Sequence, residues 1–196
     1  ELYVTTIPST GKFKHSKKLA VSIGLKAAKH EWVLLIDADC KTVSKNWISK
    51  MQEKFDENSD FVLGYGGYIA SKGFLNKMIR FDTLFIALQY FTFAIARVPY
   101  MGVGRNLAYR KEIFFSNKGF FRHLHLASGD DDLFVNDNAN SKNVRVALNP
   151  DSFTRSVPET NFKSWIYQKK RHLTTGTYYK VKHQLLLGLE LLSRFM

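Results

Sequence analysis

The spacing of hydrophobic and polar positions predicts a chain in which helices and strands alternate. Trp32–Ile36 is continuously apolar, which is typical of a strand covered on both faces. From about Ser16 to His30, apolar residues recur at helical spacing, with Ser16 as the N-cap. A helix that leads into a buried strand is half of an α/β unit. We therefore expect a mostly parallel sheet flanked by helices.

The same pattern predicts elements on both sides of this unit. Leu2–Ile7 is a short β-prone run that Pro8 ends. A helix from about Lys45 to Asn58 and a strand over Phe61–Tyr68 follow the unit, and Gly102–Tyr109 is a glycine-containing loop that leads into another apolar element. No repeat or low-complexity linker divides the chain, so we treat it as one main domain.

A long aromatic helix is predicted from about Phe74 to Ala96. Basic residues flank its apolar body: Lys72, Lys77, Arg80 and Arg97. The helix is either a core helix or a helix at a membrane surface whose cations face lipid headgroups. No uninterrupted apolar run reaches the roughly 18 residues of a membrane span.

Composition narrows the classes of function. The 196 residues are 45% hydrophobic and 14% aromatic, which is too apolar for a disordered chain. Its 29 Lys and Arg against 17 Asp and Glu give a net charge of +12, so we expect an anionic partner: nucleic acid, lipid headgroups or a phosphorylated substrate. The single cysteine, Cys40, excludes a disulfide framework and a Cys-based zinc site and is consistent with a reducing compartment.

The first candidate motif is Asp37-Ala38-Asp39, directly after the apolar run. In open α/β sheets, ligands bind beyond the carboxyl ends of strands. Two carboxylates at that place can hold Mg²⁺ or Mn²⁺, which would neutralise a substrate diphosphate. The alternative is that the two acids only start a turn and cap the next helix.

The second motif is the acidic run Asp130-Asp131-Asp132, which follows Gly129. Crowding by like charge raises the pKa of at least one of these carboxyls, which suits a general base. The alternative is an acidic surface turn. The nearby His123 and His125 are either metal ligands or ordinary surface residues, and the second is the commoner case.

The third motif is Gln168-Lys169-Lys170-Arg171-His172. On a helix, Gln168, Arg171 and His172 share one face. An arginine there can hold a diphosphate through paired, charge-assisted hydrogen bonds. The alternative is a solvated basic helix.

In this order the motifs resemble the inverting family 2 glycosyltransferases, and most of all the membrane-associated members related to cellulose, hyaluronan and ceramide-glucose synthases. The corresponding stretches are Lys17–Val21 for K-x-x-A-L, Val33–Cys40 for the D-A-D-x metal motif, Gly102–Arg110 for the acceptor-side stretch, Gly129–Asp131 for G-D-D and Gln168–His172 for Q-x-x-R-W. His172 departs from the tryptophan of the last motif.

The resemblance implies a GT-A fold, a Rossmann-like, mostly parallel sheet, that begins inside the nucleotide-binding half and covers residues 1–172. Residues 173–196 would form a basic and apolar segment that is interfacial or leads to a membrane helix. The implied catalytic base is Asp131, with Asp130 beside it and Asp132 as the candidate if the register slips by one.

The resemblance also implies the remaining site residues. Those that would bind the nucleotide sugar are Lys17, Asp37, Asp39, Gln168, Arg171 and His172, with Asp37 and Asp39 holding Mg²⁺ or Mn²⁺. Those on the acceptor side would be Gly102, Gly104, Arg105 and Asn106. The implied reaction moves a hexose, with inversion, from a UDP-sugar to a hydroxyl of a glycan or lipid. The implied location is the cytoplasmic face of a membrane, and nucleic acid is not an expected partner.

Two other functions remain open at this point. A haloacid-dehalogenase-like phosphatase would use Asp37 as a phosphorylated nucleophile and Gly129–Asp131 as its later acidic motif, but Lys41 stands where that family has Thr or Val. A basic module would bind nucleic acid or an acidic membrane through residues 161–183. Such binding would weaken with salt and would survive loss of both acidic motifs.

Overall fold

The computed structural model describes Val4, Thr6 and residues 16–195. In this part of the chain the α-helices are α1 (Ser16–Ala27), α2 (Trp47–Gln52), α3 (Phe74–Ile95), α4 (Lys111–Ser116), α5 (Asp132–Asn138), α6 (Phe162–Gly176) and α7 (Val181–Ser193). The strands are β1 (Trp32–Leu35), β2 (Cys40–Thr42), β3 (Phe61–Gly64), β4 (Gly66–Tyr68), β5 (Leu107–Arg110), β6 (Val144–Ala147) and β7 (Thr154–Ser156). The predicted α/β class is confirmed. The predicted strand Leu2–Ile7, apart from Val4 and Thr6, lies outside the described residues, as does the Ser16 side chain.

The main sheet has the strand order β1-β5-β3-β6. β5 runs antiparallel between β1 and β3, so that Ala108 faces Leu34 on one side and Val62 on the other. β3 and β6 are parallel. Three of the four strands therefore share one direction, as expected, but the strand inserted beside β1 runs the other way and makes the sheet mixed.

Both faces of β1 contact apolar residues. Val33 and Leu35 pack against the large core, and Trp32 and Leu34 pack against a second cluster that contains Met51. Within the described chain, however, β1 is the end strand of its sheet, and all four of its residues are only half-buried. The predicted apolar contacts on both faces are present, but the residues of β1 are less buried than predicted.

The predicted strand Phe61–Tyr68 is two strands in two sheets. β3 lies in the main sheet, whereas β4 joins a three-stranded sheet of order β2-β7-β4. The break falls at Tyr65, whose carbonyl accepts hydrogen bonds from the Thr154 amide and from the Asn106 side chain. The predicted helix Lys45–Asn58 is shorter than expected, because only Trp47–Gln52 is helical.

α3 begins at the predicted residue and ends one residue earlier than predicted. Its inner face is buried in the core, as at Tyr90, whose hydroxyl donates to the Gly64 carbonyl. Its outer face exposes apolar side chains one heptad apart: Phe74, Phe81, Leu88 and Ile95. Of the helices described, this one is long and apolar enough to cross a membrane by length and composition.

The C-terminal helices pack on the same core. The expected boundary after residue 172 falls inside α6, and Tyr179 beyond it is a member of the core cluster. α7 contacts α3 where Gln89 donates to Glu190 at 2.8 Å. α6 contacts α3 through the ion pair between Lys169 and Asp82.

Candidate active site

Lys17 connects two of the three motifs. Its Nζ lies 3.0 Å from Asp37 Oδ1 and 2.9 Å from Asp130 Oδ2. Desolvation disfavours the ammonium charge, but the carboxylates of Asp130, Asp131 and Asp37 outweigh it and raise the pKa of Lys17. The charged lysine therefore holds the acidic turn after β1 against the acidic loop before α5.

Asp131 sits at the N-cap of α5, half-buried beside this lysine. Its Oδ2 accepts the Gly104 N–H at 2.6 Å, and its Oδ1 accepts the Asp132 N–H at 2.8 Å. Desolvation, followed by the charges of Asp130 and Asp132, raises the pKa of Asp131 to about 7. A carboxylate with a pKa near neutrality is a stronger proton acceptor than an ordinary aspartate and still ionises at neutral pH, as a general base requires.

Asp132 has a different environment. Its Oδ2 accepts hydrogen bonds from the hydroxyls of Thr175 and Tyr179, the latter at 2.9 Å. Its Oδ1 accepts the Leu133 N–H at 2.8 Å. Oδ2 of this buried carboxyl thus joins α5 to Thr175 at the end of α6 and to Tyr179 just beyond it, whereas Oδ1 is bound within α5. We assign Asp132 a positioning role, whereas the alternative register would make it the base.

The small sheet orients Asp39. The Ser156 hydroxyl on β7 donates to Asp39 Oδ2 at 3.0 Å and lies 3.2 Å from the Cys40 thiol. No cluster of three or more His, Cys, Asp or Glu side chains occurs within the described part of the chain. Mg²⁺ and Mn²⁺ are commonly held by one or two carboxylates together with water and substrate phosphates. The oxygen donors of Asp37 and Asp39 fit a cation of that kind.

The four residues expected on the acceptor side divide into two pairs. A Cβ on Gly102 would lie within 3.1 Å of core side chains, so this glycine serves packing. Asn106 is fully buried: it donates to the carbonyls of Tyr65 and Ser152 and accepts from the Trp47 indole. Gly104 contacts Asp131 directly, and Arg105 follows it. Gly102 and Asn106 are therefore packed in the interior, whereas Gly104 and its neighbour Arg105 lie next to Asp131.

α6 brings the basic motif to the same place. Gln168 accepts a hydrogen bond from the Tyr68 hydroxyl at 3.4 Å. Desolvation and the positive charges of Arg171, Lys169, Arg105 and Lys17 lower the pKa of His172 to about 4, so this imidazole is neutral at pH 7. Because Lys17 and Arg105 lie within electrostatic reach of His172, this part of α6 lies near the acidic motifs that Lys17 joins. The Arg171 side chain is exposed on this helix.

The two histidines near the acidic run each contact a residue outside that run. His123 Nε2 lies 3.0 Å from Asp137 Oδ2, and the ring of His125 makes an edge contact with Tyr178. Neither histidine belongs to a group of three or more His, Cys, Asp or Glu side chains in the described region.

Sequence reasoning missed Lys18. This buried ammonium donates to three backbone carbonyls, those of His123 at 2.5 Å, Leu126 at 2.9 Å and Ser128 at 2.8 Å. It thereby fixes the loop that leads into Asp130 and Asp131. Only the neighbouring Lys17 belongs to a recognisable motif, and a lysine on a helix is ordinarily a solvated residue.

Comparison with known proteins gives a family and a fold. The model of glycosyl transferase family 2 matches residues 10–115. Among solved structures, a mannosyltransferase from Pyrobaculum calidifontis in complex with GDP-Man and Mn²⁺ superposes with a TM-score of 0.52 at 16% identity. The match covers 80% of this chain and 41% of that protein, so this chain spans less than half of its length. No curated protein matches the chain. At this identity the likeness supports the expected GT-A-like fold alone, whereas the family match covers more than half of the sequence, and the chain belongs to glycosyl transferase family 2.

Proposed function

We propose that this chain carries the catalytic centre of an inverting glycosyltransferase that moves a hexose from a UDP-sugar to a hydroxyl of a glycan or lipid acceptor. The observation that carries the proposal is the double ion pair of Lys17, which joins the acidic turn at Asp37 to the acidic loop at Asp130. Membership of the family favours glycosyl transfer over the phosphatase and the nucleic-acid-binding module.

In the proposed reaction, Asp131 accepts the proton of the acceptor hydroxyl. The hydroxyl oxygen forms a bond to the anomeric carbon as the bond from that carbon to the diphosphate oxygen breaks on the opposite face, which inverts the centre. Lys17 and Arg171 stabilise the negative charge of the departing diphosphate. A divalent cation held by Asp37 and Asp39 would supply further neutralisation of that charge.

The neighbouring carboxyls explain why Asp131 suits this role. Asp130 is paired with Lys17 and Asp132 with hydroxyl donors, which leaves Asp131 as the member of the acidic run held by backbone N–H groups alone. Its raised pKa places its ionisation near pH 7.

The direct test is a panel of UDP- and GDP-sugars with Mn²⁺, in which release of the nucleoside diphosphate is measured. We expect one donor to be consumed by the wild type and not by Asp131→Asn, while both proteins bind the nucleotide. Glu57→Gln, which removes an exposed carboxylate, is the matched control and should retain activity. Equal turnover by Asp131→Asn would refute the base assignment, and no turnover of any donor would refute the proposed function.

We also propose that the chain works at the cytoplasmic face of a membrane. The apolar stripe of α3 is accompanied on α7 by exposed side chains at helical spacing: Val181, Leu185, Leu189 and Leu192. The net charge of +12 favours anionic lipid. Sedimentation with vesicles of phosphatidylserine and phosphatidylcholine should recover the wild type and lose the double variant Phe81→Ser, Leu88→Ser. Equal recovery of both proteins would contradict this proposal.

A further inference from the structure

One nitrogen of the Arg105 guanidinium has no hydrogen-bond partner among the described residues. Its Nη1 is buried without a hydrogen-bond acceptor among the described residues, and no described carboxylate forms an ion pair with the side chain. The guanidinium stacks over the Tyr68 ring, with Cζ 4.5 Å from the ring centre. A buried charged donor without an acceptor is costly, so such a group calls for an explanation.

The position of Arg105 is fixed by residues of the site. The preceding Gly104 N–H is held by Asp131 at 2.6 Å. The Arg105 carbonyl accepts the Thr154 hydroxyl at 2.8 Å, two residues before Ser156, which orients Asp39. Arg105 thus lies between the candidate base and the acidic turn.

Several other cations act on the same neighbours as this guanidinium, although the carboxylates of Asp37 and Asp39 also lie within electrostatic reach of one of them, Cys40. The charges of Arg105 and Lys17 both lower the pKa of His172. The charges of Arg105, Arg155 and Arg80 all act on the Tyr65 hydroxyl. Arg155 itself donates to the Tyr68 carbonyl at 3.3 Å. These cations repel one another, and an anion bound beside Arg105 would reduce that repulsion.

We propose that Arg105 determines specificity by binding an anionic group of the substrate, through hydrogen bonds from its guanidinium to phosphate or carboxylate oxygens. The inference rests on the proposed function and deepens it. The anionic group belongs either to the donor diphosphate or to an acidic acceptor, and both offer the paired oxygens that a guanidinium matches.

The proposal makes a prediction that a purely structural role does not make. A structural arginine stabilises the ligand-free protein, so that its removal lowers the melting temperature. An arginine whose partner is a ligand lowers the stability of the ligand-free protein, because its buried charge is then unpaired. Arg105→Met retains the apolar stem over Tyr68 and removes the unpartnered charge, and it should therefore melt no lower than the wild type.

The experiment compares wild type, Arg105→Met, Arg105→Lys and the control Arg122→Met, which removes an exposed charge. Melting temperatures are measured without ligand, and affinities are measured calorimetrically for pyrophosphate and for UDP with Mn²⁺. Glycerol 1-phosphate and glucuronate are then titrated in the presence of UDP and Mn²⁺. Loss of a charge-assisted contact should weaken binding about 10- to 100-fold in Arg105→Met, less in Arg105→Lys, and not in the control.

Each outcome decides a point. Weaker binding of pyrophosphate and UDP assigns the anion to the donor, whereas unchanged UDP affinity with weaker binding of glycerol 1-phosphate or glucuronate assigns it to the acceptor. A lower melting temperature with unchanged affinities, or no anion binding by the wild type, overturns the inference. If anion binding depends on Arg105 but the wild type consumes no nucleotide sugar, the proposed function is refuted and the inference about Arg105 is not. If the wild type and Arg105→Met consume a donor equally and bind all the anions with equal affinity, the inference about Arg105 is refuted and the proposed function is not.

Discussion

Replacing Asp131 with asparagine removes its charge and nearly preserves its shape. The amide oxygen of the new side chain can still accept the Gly104 N–H, but the amide nitrogen cannot accept the Asp132 N–H. The change therefore removes one hydrogen bond and one unfavourable charge. We expect the removed charge to dominate at high pH.

The magnitude follows from the pKa of Asp131, which burial and its acidic neighbours raise from 3.8 to about 7. Because the folded protein binds this proton more tightly than the unfolded chain, the wild type loses stability as the pH rises from about 4 to 7. At about 1.4 kcal/mol per pKa unit the full displacement is worth roughly 4 kcal/mol. Asp131 as a whole residue is only half-buried, so we expect about half of that after solvent screening. The lost hydrogen bond costs about 1 kcal/mol, which leaves Asp131→Asn more stable by about 1 kcal/mol at pH 8.

Thermal unfolding of wild type and Asp131→Asn between pH 4 and pH 8 measures this difference. We expect the variant to melt about 2–4 °C higher at pH 8 and no higher at pH 4. Glu57→Gln should follow the wild type throughout. A variant that melts lower than the wild type at pH 8, by a pH-independent amount, would refute the raised pKa on which the argument depends.

Three changes test the residues that support the site. Thr175→Val removes one of the two hydroxyl donors to Asp132 and should destabilise the fold by about 1–3 kcal/mol in urea unfolding, with turnover reduced because the hydrogen bond from Tyr179 alone remains to position α5. Lys18→Met removes the ammonium that binds three carbonyls of the 123–128 loop and should increase proteolytic cleavage in that loop, whereas an unchanged cleavage pattern would exclude the anchoring role. Asn106→Ala leaves the Trp47 N–H and the Ser152 carbonyl unpaired and removes one of the two donors to the Tyr65 carbonyl, so it should cost several kcal/mol in urea unfolding, a loss that a peripheral residue would not cause.

The elements that the sequence predicted well are those with a long, uniform pattern. The bounds of α3 were predicted within one residue, because 22 residues of aromatic and aliphatic side chains leave little ambiguity about a helix. β1 was also found, since an apolar run before two acidic residues identifies a strand end.

The parts that could not be predicted depend on contacts distant in sequence. Nothing local distinguishes β5 as an antiparallel strand inserted between β1 and β3, because its direction depends on its partners. Likewise Phe61–Tyr68 reads as one strand, and only the bonds that Tyr65 receives from Asn106 and Thr154 divide it. Short strands such as β2 and β7 are too brief to show a period.

The candidate site also has features that the local sequence predicts and features that depend on distant contacts. The motifs identified which acidic and basic residues belong to the candidate site. They did not distinguish the roles of adjacent residues within one motif. Asp131 and Asp132 are adjacent and identical in sequence, and they differ only because backbone N–H groups hold one and the hydroxyls of Thr175 and Tyr179 hold the other.

The central claim is that the acidic turn after β1 and the loop before α5 form one nucleotide-sugar site that binds its ligand with a divalent cation. Calorimetric titration of UDP and of GDP into the chain, with and without Mn²⁺, tests it most directly. We predict Mn²⁺-dependent binding of one nucleotide to the wild type and to Asp131→Asn, and its loss in Asp39→Asn. Nucleotide binding that is independent of Mn²⁺ and unchanged in Asp39→Asn would contradict the account.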